Sequence, residues 1–590
     1  MTAACAIAAA AGLLTRRTKL MLDLWYKTAT IYSLNVGAYM DGNGDGVGDF
    51  RGLTTRLDYI AELGVNCLWL LPFFPSPQLD YGFDVTDYYN VAPEYGTLGD
   101  FVEFSREARL RGLRLLIDLP LNHTSDQHPW FQAARADPAS PFRDYYVWSA
   151  HEPANAAEGV VFPGFQTSVW TRDEVAGAWY FHRFYEHQPD LNITNPAVRD
   201  EIERIMGFWL ELGVSGFRVD AAPFLIDQFQ PDGSIFRNYD ILDELRDFLS
   251  WRRGDAIMLA EANVSPDEIP HFVGHHGRMH MTFALLINQY LFLALARRQA
   301  EPLQRGLSLL PALPKLGQWA QFLRNHDELD LGRLSPDERA EVHAAFAPEP
   351  GMGLYSRGIR RRLAPMLGND RRRIELAYSL MFSLPGSPVM FYGDEIGMGD
   401  DLSQPERWAV RTCMQWRDKT CGGFSDAPPD MLPHPMIQAG PFGVGAVNAV
   451  AQQRDPTSLL AWMRRLCGIR RSCPEIGWGE MSIIESDNPA VFAHRYRHDG
   501  KYTIIINNLD DKACQCELGL DVREFGEIVD LFGNRAYETN DIERNSISGT
   551  PARWMAAGDR RPCRPRAAIS RCTGSSRRDG SKSASSPRSA

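Results

Sequence analysis

The sequence predicts an α/β protein built on a closed (β/α)8 barrel, with a subdomain inserted after the third strand and an antiparallel β domain near the C-terminal end. Eight short apolar runs recur along the chain, helical patterns such as LTTRLDYIAELG lie between them, and alternating segments follow after about residue 455. Near-continuous apolar strands that alternate with helices are typical of a parallel sheet covered by helices. Eight such units predict a TIM barrel, whose chemistry lies at the carboxyl ends of its strands.

The eight apolar runs predict the barrel strands in chain order. They are ATIYSLNV (29–36), NCLWLLPF (66–73), LRLLIDLPL (113–121), GFRVDAAPF (216–224), AIMLAEAN (256–263), MTFALLINQ (281–289), WAQFLRNHD (319–327) and SPVMFYGDE (387–395). The length of the sixth run would also suit a helix.

The connection between the third and fourth strands is too long for an ordinary loop, and we interpret residues 123–191 as an inserted subdomain. It divides the barrel into residues 23–122 and 192–454. Residues 455–548 start with the amphipathic stretch SLLAWMRRLCGIRRS and continue with alternating segments such as AVFAHRYRH and YTIIINNL, which predict the β domain.

The two ends of the chain, residues 1–22 and 549–590, are predicted to be disordered. Residues 551–590 hold ten Lys or Arg and two Asp or Glu without an apolar period, which favours a disordered tail over a nucleic-acid-binding arm. The N-terminal run AACAIAAAAGLL is too short to span a bilayer and has no positive residue before it, as a signal peptide would.

Composition and charge narrow the class of protein. The 590 residues are 44% hydrophobic and carry a net charge of -12, which is a globular composition that makes nucleic acid an improbable partner. Ten cysteines without a CxxC pair argue against a disulfide framework or a structural zinc site. We therefore expect a cytoplasmic protein with no membrane partner, and the sequence leaves open whether it forms a homo-oligomer.

The stretch YMDGNGDGVGDF places oxygen-bearing side chains at Asp41, Asn43, Asp45 and Asp49. A calcium-sensor loop would close with a Glu at its twelfth position, which here is Gly52. Several carboxylates in one short loop repel each other unless a cation lies among them, so the stretch predicts a metal loop after the first strand. The alternative is a solvated acidic turn.

Polar residues cluster at the ends of four predicted strands. Arg218 and Asp220 are two residues apart and share one face of a strand, and the other members of the cluster are Asp118, Asn122, His123, Glu261, His326 and Asp327. Three carboxylates at the mouth of one barrel fit a retaining glycosidase, which needs a nucleophile and a protonated acid about 5 Å apart. We expect Arg218 to lower the pKa of Asp220 and keep it ionised. The alternative is that each acid is a buried structural partner.

These strand ends closely resemble the sequence regions of the α-amylase family of retaining α-glucoside enzymes (glycoside hydrolase family 13). The similar stretches are DLPLNH, GFRVDAAPF, LAEAN and FLRNHDE, and the likeness extends over about residues 24–548. The resemblance implies that Asp220 is the nucleophile, Glu261 the acid and base, and Asp327 the third acid, which stabilises the oxocarbenium-like transition state. The resemblance further implies that the residues holding the cleavage subsite are Arg218, His123, His326 and Asp118.

The stretch DYGFDVTDYY resembles the family's loop at the floor of that subsite. There Asp80 would bind a sugar hydroxyl, and Phe83 stands where a stacking Tyr is usual. In related enzymes VRTCMQW supplies an Arg that pairs with that Asp, so we expect Arg411 to bind Asp80 and close the far end of the sugar site. A surface salt bridge is the alternative. A blind-ended pocket favours small oligosaccharides over long polymers.

The resemblance also addresses the cation. In the oligosaccharide-cleaving branch of the family, a loop like this one holds structural Ca²⁺ or Mg²⁺, which implies ligands from Asp41, Asn43, Asp45 and Asp49 and the carbonyl of Val47. A second site of the family would use Asn122, Asp190 and Asp227, although polar strand ends and turns explain these residues nearly as well. No organic cofactor is implied.

Within the family, several stretches are most similar to the branch that interconverts maltose and trehalose by intramolecular glucosyl transfer. They are FHRFYEHQPDLN, RNHDELDL, GIRRRLAPMLGNDRRRIEL and YGDEIGMGD. MTFALLINQ and ERWAVRTC differ from that branch near the expected place of the second sugar. A hydrolytic α-glucosidase or a small-oligosaccharide α-amylase with the same triad is the alternative. A non-catalytic binding barrel is disfavoured because all three acids are present.

Overall fold

Eight parallel strands close into a barrel, as the sequence predicts. The computed structural model describes residues 23–229, 235–273, 277–520, 528–532 and 553–557. The barrel strands are β1 (Ile31–Leu34), β2 (Cys67–Leu70), β3 (Arg114–Leu119), β4 (Gly216–Val219), β5 (Ile257–Ala260), β6 (Met281–Phe283), β7 (Gln318–Phe322) and β8 (Ser387–Phe391). Strand β1 pairs with both neighbours, since Ile31 lies opposite Cys67 of β2 and opposite Val389 of β8.

Each strand is shorter than the apolar run that predicts it, and the difference lies mostly at the carboxyl end. The sixth run contains the strand Met281–Phe283 and then enters the helix Leu285–Arg297, so the helical reading of its second part is also correct. That helix is apolar nearly all round and mostly buried, which is typical of a helix packed on both sides. Because the strands are parallel and end early, most of the polar residues of the apolar runs lie in loops at the same mouth of the barrel.

Amphipathic helices cover the outside of the barrel. The helix Leu98–Leu110 begins at a capping box of Thr97 and Asp100 and buries Phe101, Phe104 and Ala108, which recur at helical spacing. The other long helices between the strands or after them are Leu57–Leu63, Pro196–Glu211, Asp240–Arg252, Glu301–Leu309, Pro336–Phe346, Arg371–Ser383 and Leu459–Ser472. Within the described ranges, none of the helices is long and apolar enough to cross a membrane.

The segment between β3 and β4 forms a subdomain with its own small core. It contains the helix Pro129–Ala136 and a three-stranded antiparallel sheet of Trp148–Ser149, Ala178–Phe181 and Trp170–Asp173, in that spatial order. An isolated bridge between His123 and Asp190 joins the two ends of the segment. The subdomain is therefore anchored at the carboxyl end of β3, beside the mouth of the barrel.

A five-stranded antiparallel sheet follows the helix Leu459–Ser472. Its strands are β9 (Glu480–Ile484), β10 (Val491–His498), β11 (Lys501–Asn508), β12 (Ile528–Asp530) and β13 (Arg553–Ala557), in the spatial order β9-β10-β11-β13-β12. Strand β13 lies within the segment that the sequence analysis assigns to a disordered tail, so the sheet extends beyond the predicted boundary at residue 548. Residues 1–22 and 558–590 lie outside the described residues.

Candidate active site

Arg218 lies at the centre of a buried cluster of carboxylates at the carboxyl ends of β3, β4 and β5. Its Nη1 donates hydrogen bonds to Asp118 (2.7 Å) and Asp220, and its Nη2 donates to Glu261. The indole of Trp69 donates to the second oxygen of Asp118 (3.2 Å). Both Arg218 and Asp118 are at most 1% exposed. The hydrogen bond to Asp118 thus fixes the guanidinium, and the guanidinium in turn orients Asp220 and Glu261.

One guanidinium cannot compensate three buried carboxylates. Burial raises the pKa of Glu261 to about 7 and the pKa of Asp220 above its ordinary range, and Arg218 offsets each increase only in part. The expectation that Arg218 lowers the pKa of Asp220 is therefore correct in sign for the arginine but wrong for the net shift, because desolvation outweighs it. A carboxyl with a pKa of about 7 is suited to act as an acid and then as a base near neutral pH.

Asp327 has the opposite electrostatic environment. Burial raises its pKa, but His326, Arg407 and Arg411 lower it by more, so that the net pKa of Asp327 is well below its ordinary value. The carboxylate accepts from Arg407 Nη1 (2.8 Å) and Arg411 Nη2 (3.2 Å) through one oxygen, and the other oxygen lies 3.2 Å from His326 Nε2. Asp327 is therefore ionised at neutral pH, whereas Glu261 has a pKa in that range.

The far end of the pocket is closed by Arg407 and not by Arg411. Arg407 Nη2 donates to one oxygen of Asp80 (3.1 Å), and Gln188 Nε2 donates to the other (3.0 Å). Arg411 Nε instead donates to the carbonyl of His326 (2.9 Å). The predicted pairing of Arg411 with Asp80 is wrong because Arg407, in the 3-10 helix Glu406–Val410, lines the cavity and binds Asp80, whereas Arg411 directly follows that helix and binds the His326 carbonyl.

Aromatic and imidazole groups line the floor of the site. The ring of Phe83 stacks on that of His326, with centroids 5.5 Å apart and planes inclined by 11°. Burial lowers the pKa of His123 to about 4, so its imidazole is neutral at physiological pH. Its Nε2 is buried and has no hydrogen-bond partner among the described residues, which leaves it available to a sugar hydroxyl.

The site opens into a cavity of about 610 Å³, which is in the range of small-ligand sites. Of the residues described above, those that line it are Asp80, Phe83, His123, Asp220, Glu261, Asp327 and Arg407. Its outer part is formed by loops that were not predicted. Arg333 Nη2 donates to the carbonyl of Asn263 (2.8 Å), and the Asn263 amide donates to Asp330 (3.1 Å). Arg357 joins Asp330 (3.3 Å) to the carbonyl of Val161 in the inserted subdomain (3.1 Å). The outer wall thus ties the loops after β5 and β7 to the subdomain.

The structure brings together the predicted triad and subsite residues, and it adds several neighbours for which no role was predicted. Gln188 lies in the stretch FHRFYEHQPDLN and Arg407 in ERWAVRTC. Trp69 lies within the second predicted strand, and no signal in the sequence marked it. Glu328 follows Asp327 directly and lines the cavity, and burial raises its pKa to about 7.

In the acidic loop after β1, two carboxylates accept hydrogen bonds from the loop's own backbone N–H groups. Asp41 accepts hydrogen bonds at both of its oxygens from the backbone N–H groups of Asn43, Gly44 and Gly46 and from the hydroxyl of Ser425. Asp49 accepts at both of its oxygens from the backbone N–H groups of Gly42 and Gly52. Asp45 is exposed and accepts from the N–H of Val47 (2.9 Å). The oxygen donors suit a hard cation. In the part of the chain that the structure describes, however, no group of three or more His, Cys, Asp or Glu side chains could hold a metal ion.

Two residues of the second predicted metal site, Asp190 and Asp227, form hydrogen bonds with Arg183. Asp190 accepts from the backbone N–H of Arg183 (2.8 Å), and Arg183 Nη2 donates to Asp227 (3.1 Å). Burial raises the pKa of Asp190 to about 7, and a hydrogen bond with Asn122 opposes the increase. The guanidinium of Arg183 thus supplies positive charge to Asp227 at the join between the subdomain and the barrel.

Comparison with known proteins agrees with this geometry. The sequence model of the family "Alpha amylase, catalytic domain" matches residues 35–339 and 360–479. A trehalose synthase of Thermus thermophilus is 42% identical over 88% of the chain, which spans 54% of that relative, and one of Pimelobacter sp. is 42% identical over 86% of the chain and 91% of its own length. The crystal structure of an α-amylase from H. orenii superposes with a TM-score of 0.72 at 28% identity, covering 90% of this chain and all of the other.

Proposed function

Because this chain belongs to the α-amylase family, we propose that it interconverts maltose and trehalose by transferring a glucosyl group within one substrate molecule. The observation that carries the proposal is the arrangement of Asp220 and Glu261 on one guanidinium, in a pocket whose far end Arg407 closes over Asp80. A closed end suits a substrate that enters with a single terminal glucosyl unit.

In the first step Asp220 attacks the anomeric carbon of the terminal glucosyl unit, and Glu261 donates its proton to the departing glycosidic oxygen. A covalent glucosyl-enzyme and a free glucose result. The pKa of about 7 for Glu261 keeps a large protonated fraction at neutral pH, so that the leaving group is protonated. The ionised Asp327 stabilises the positive charge that develops on the sugar ring.

In the second step the free glucose turns within the pocket, and its anomeric hydroxyl attacks the glucosyl-enzyme. Glu261, now ionised, takes the proton of that hydroxyl, and Asp220 is released. Each step inverts the anomeric carbon, so the product keeps the α configuration. Water must stay out while the glucose turns, and the contact between Arg357 and Val161, which joins the inserted subdomain to the loop after β7, supports such a closed chamber.

Hydrolysis is the second candidate function. The outer part of the cavity is lined by polar groups that include the exposed residues Asn263 and Arg333, and polar walls of this kind also hold water. A water molecule activated by Glu261 would release the glucosyl group as glucose. The triad would be the same, and only the acceptor would differ.

Incubation of the purified protein with maltose separates the two functions. We expect trehalose to accumulate with less free glucose, measured by chromatographic separation of the products over time. The matched control is Asp220→Asn, which should form neither product. Accumulation of glucose alone would overturn the isomerase proposal and leave the hydrolase.

We further propose that the acidic loop after β1 binds Ca²⁺ or Mg²⁺ as a structural ion, held by Asp41, Asn43, Asp45, Asp49 and the carbonyl of Val47. The support is the all-oxygen set of ligands. The test is the melting temperature with EDTA and with added Ca²⁺, using Asp45→Ala as the control. Chelation should lower the melting temperature of the wild type and leave that of the variant unchanged, and an equal response of the two proteins would contradict the site.

We also propose that the protein works in the reducing environment of the cytoplasm. Five buried cysteines of the barrel and its final helices, Cys67, Cys413, Cys421, Cys467 and Cys473, are free thiols, as is usual in that compartment. Their side chains fill the core as small apolar groups.

A further inference from the structure

Three segments that are far apart in the sequence meet at one carboxylate beside the pocket. Tyr185 of the inserted subdomain and Tyr355 of the loop after β7 both donate their phenol hydroxyls to Glu406 Oε2, at 2.7 and 2.5 Å. The two hydroxyl oxygens are themselves 3.2 Å apart. We call these three residues the tyrosine latch.

The backbone at the latch has unusual dihedral angles. Glu406 has a φ of 39°, Tyr355 of 52° and Ser356 of 58°, all in the left-handed region that non-glycine residues disfavour. Backbone strain of this kind persists only where surrounding contacts hold it, and it is concentrated at functional sites. The hydrogen bond from Tyr355 to Glu406 connects the two strained segments directly, and the hydrogen bond from Tyr185 joins the inserted subdomain to them.

The latch is continuous with the closed end of the pocket. Glu406 precedes Arg407, whose guanidinium lies 5.1 Å from the ring of Phe162, and that ring stacks on Tyr185 at 4.6 Å. On the other side, the backbone N–H of Tyr185 donates to Gln188 Oε1 (3.3 Å). Gln188 and Arg407 then bind the two different oxygens of Asp80. The hydrogen bond between Tyr185 and Glu406 therefore completes a ring of contacts around Asp80.

We propose that the tyrosine latch fixes Arg407 and Gln188 on Asp80 and thereby makes the pocket select an unsubstituted terminal glucosyl unit. Glu406 is a positioning residue, because it acts on the sugar site through Arg407. This inference rests on the proposed function in one respect, namely that the terminal sugar binds at Asp80. It does not depend on whether water or glucose accepts the glucosyl group.

The test compares two substrates whose terminal sugars differ. One is maltose, and the other is a maltooligosaccharide p-nitrophenyl glycoside whose terminal glucose carries a 4,6-O-ethylidene block. The wild type should act on maltose and not on the blocked substrate. In Glu406→Ala we expect the KM for maltose to rise about tenfold with a smaller change in kcat, since hydrogen bonds to a charged group are lost. Activity on the blocked substrate should appear.

Two further variants separate positioning from general stability. Glu406→Gln keeps an oxygen that accepts both phenol hydroxyls, so it should restore the wild-type selectivity. Glu349→Ala, in an exposed position of the loop before Tyr355, is the matched control and should not differ from the wild type. Should Glu406→Ala fail to fold, Tyr185→Phe tests the same hydrogen bond with the aromatic ring retained.

The outcomes also distinguish failure of this inference from failure of the proposed function. A Glu406→Ala protein with a lower melting temperature and unchanged discrimination between the two substrates would overturn the latch. A wild type that forms glucose but no trehalose would overturn the isomerase proposal, and the latch would still be tested by glucose release from maltose.

Discussion

The two ends of the catalytic cavity are built differently. The end that holds the triad is formed by residues at the ends of β3, β4 and β5 and within five residues of the end of β7, and its central Arg218 is 1% exposed. The outer end is formed by loops, and two of its polar residues, Asn263 and Arg333, are exposed. Strand ends in a barrel are positioned by the whole sheet, whereas loops depend on a few local contacts. Under the proposed function, separate parts of the molecule therefore control the chemical step and the fate of the released glucose.

The triad end should tolerate substitution least. Replacing the proposed nucleophile in Asp220→Asn should lower kcat for maltose by at least about 1,000-fold, because no glucosyl-enzyme would form. The amide is nearly isosteric, so the melting temperature should remain close to that of the wild type. Initial rates and thermal unfolding measured on the same preparation check both expectations. Substantial residual turnover would move the nucleophile to another carboxylate.

A substitution of Arg411 tests the triad end indirectly, because Arg411 binds the carboxylate of Asp327 and does not line the cavity. Arg411→Lys cannot donate at the same time to Asp327 and to the His326 carbonyl as the guanidinium does. We expect kcat/KM for maltose to fall by about 10- to 100-fold, in line with the loss of a hydrogen bond to a charged group. Arg417→Lys, outside the cavity lining, serves as the control. Unchanged kinetics in Arg411→Lys would mean that Arg407 alone holds Asp327.

The proton on Glu261 gives the triad end a pH dependence. Its pKa is raised to about 7, so the acid form that protonates the leaving oxygen predominates below pH 7 and is lost above it. The rate of glucosyl-enzyme formation should therefore fall about tenfold per pH unit on the alkaline side. The measurement is kcat/KM for maltose from pH 5 to 9.

A substrate that needs no proton donor sharpens this measurement. With α-glucosyl fluoride, whose leaving group is good without general acid catalysis, the alkaline decrease should be weaker than with maltose. The same decrease with both substrates would assign the titration to a group other than Glu261.

The positions of the residues at the triad end could be predicted from the sequence because most of them lie at the ends of regular strands. Asp118 lies in β3, Asp220 and Glu261 come directly after β4 and β5, and the barrel fixes where the end of each strand points. Their net pKa values could not be predicted in the same way. The sequence shows that Arg218 is beside Asp220, but the extent of burial that outweighs the arginine depends on the assembled barrel.

The contacts made by loops were predicted poorly. Arg411 was assigned to Asp80 from its position in a motif, whereas a short 3-10 helix presents Arg407, four residues earlier. Tyr185, Tyr355 and Glu406 come from three separate loops and carry no local pattern that would bring them together. The positive φ angles of Tyr355 and Glu406 could not be inferred, because the residue types give no indication of them.

The outer end of the cavity should show the smallest effect and the most selective one. Arg333→Ala removes the hydrogen bond to the Asn263 carbonyl and loosens the wall around the released glucose. We expect the ratio of trehalose to glucose formed from maltose to fall about two- to fivefold, which is the effect of one exposed hydrogen bond. Fluoride release from α-glucosyl fluoride, which reports the first step alone, should remain within twofold of the wild type. Arg109→Ala, an exposed arginine on the helix Leu98–Leu110, is the matched control. A loss of fluoride release in Arg333→Ala as large as the loss of kcat/KM expected for Arg411→Lys would show that the two ends of the cavity are not separable. The outer wall would then be positioning the triad as well.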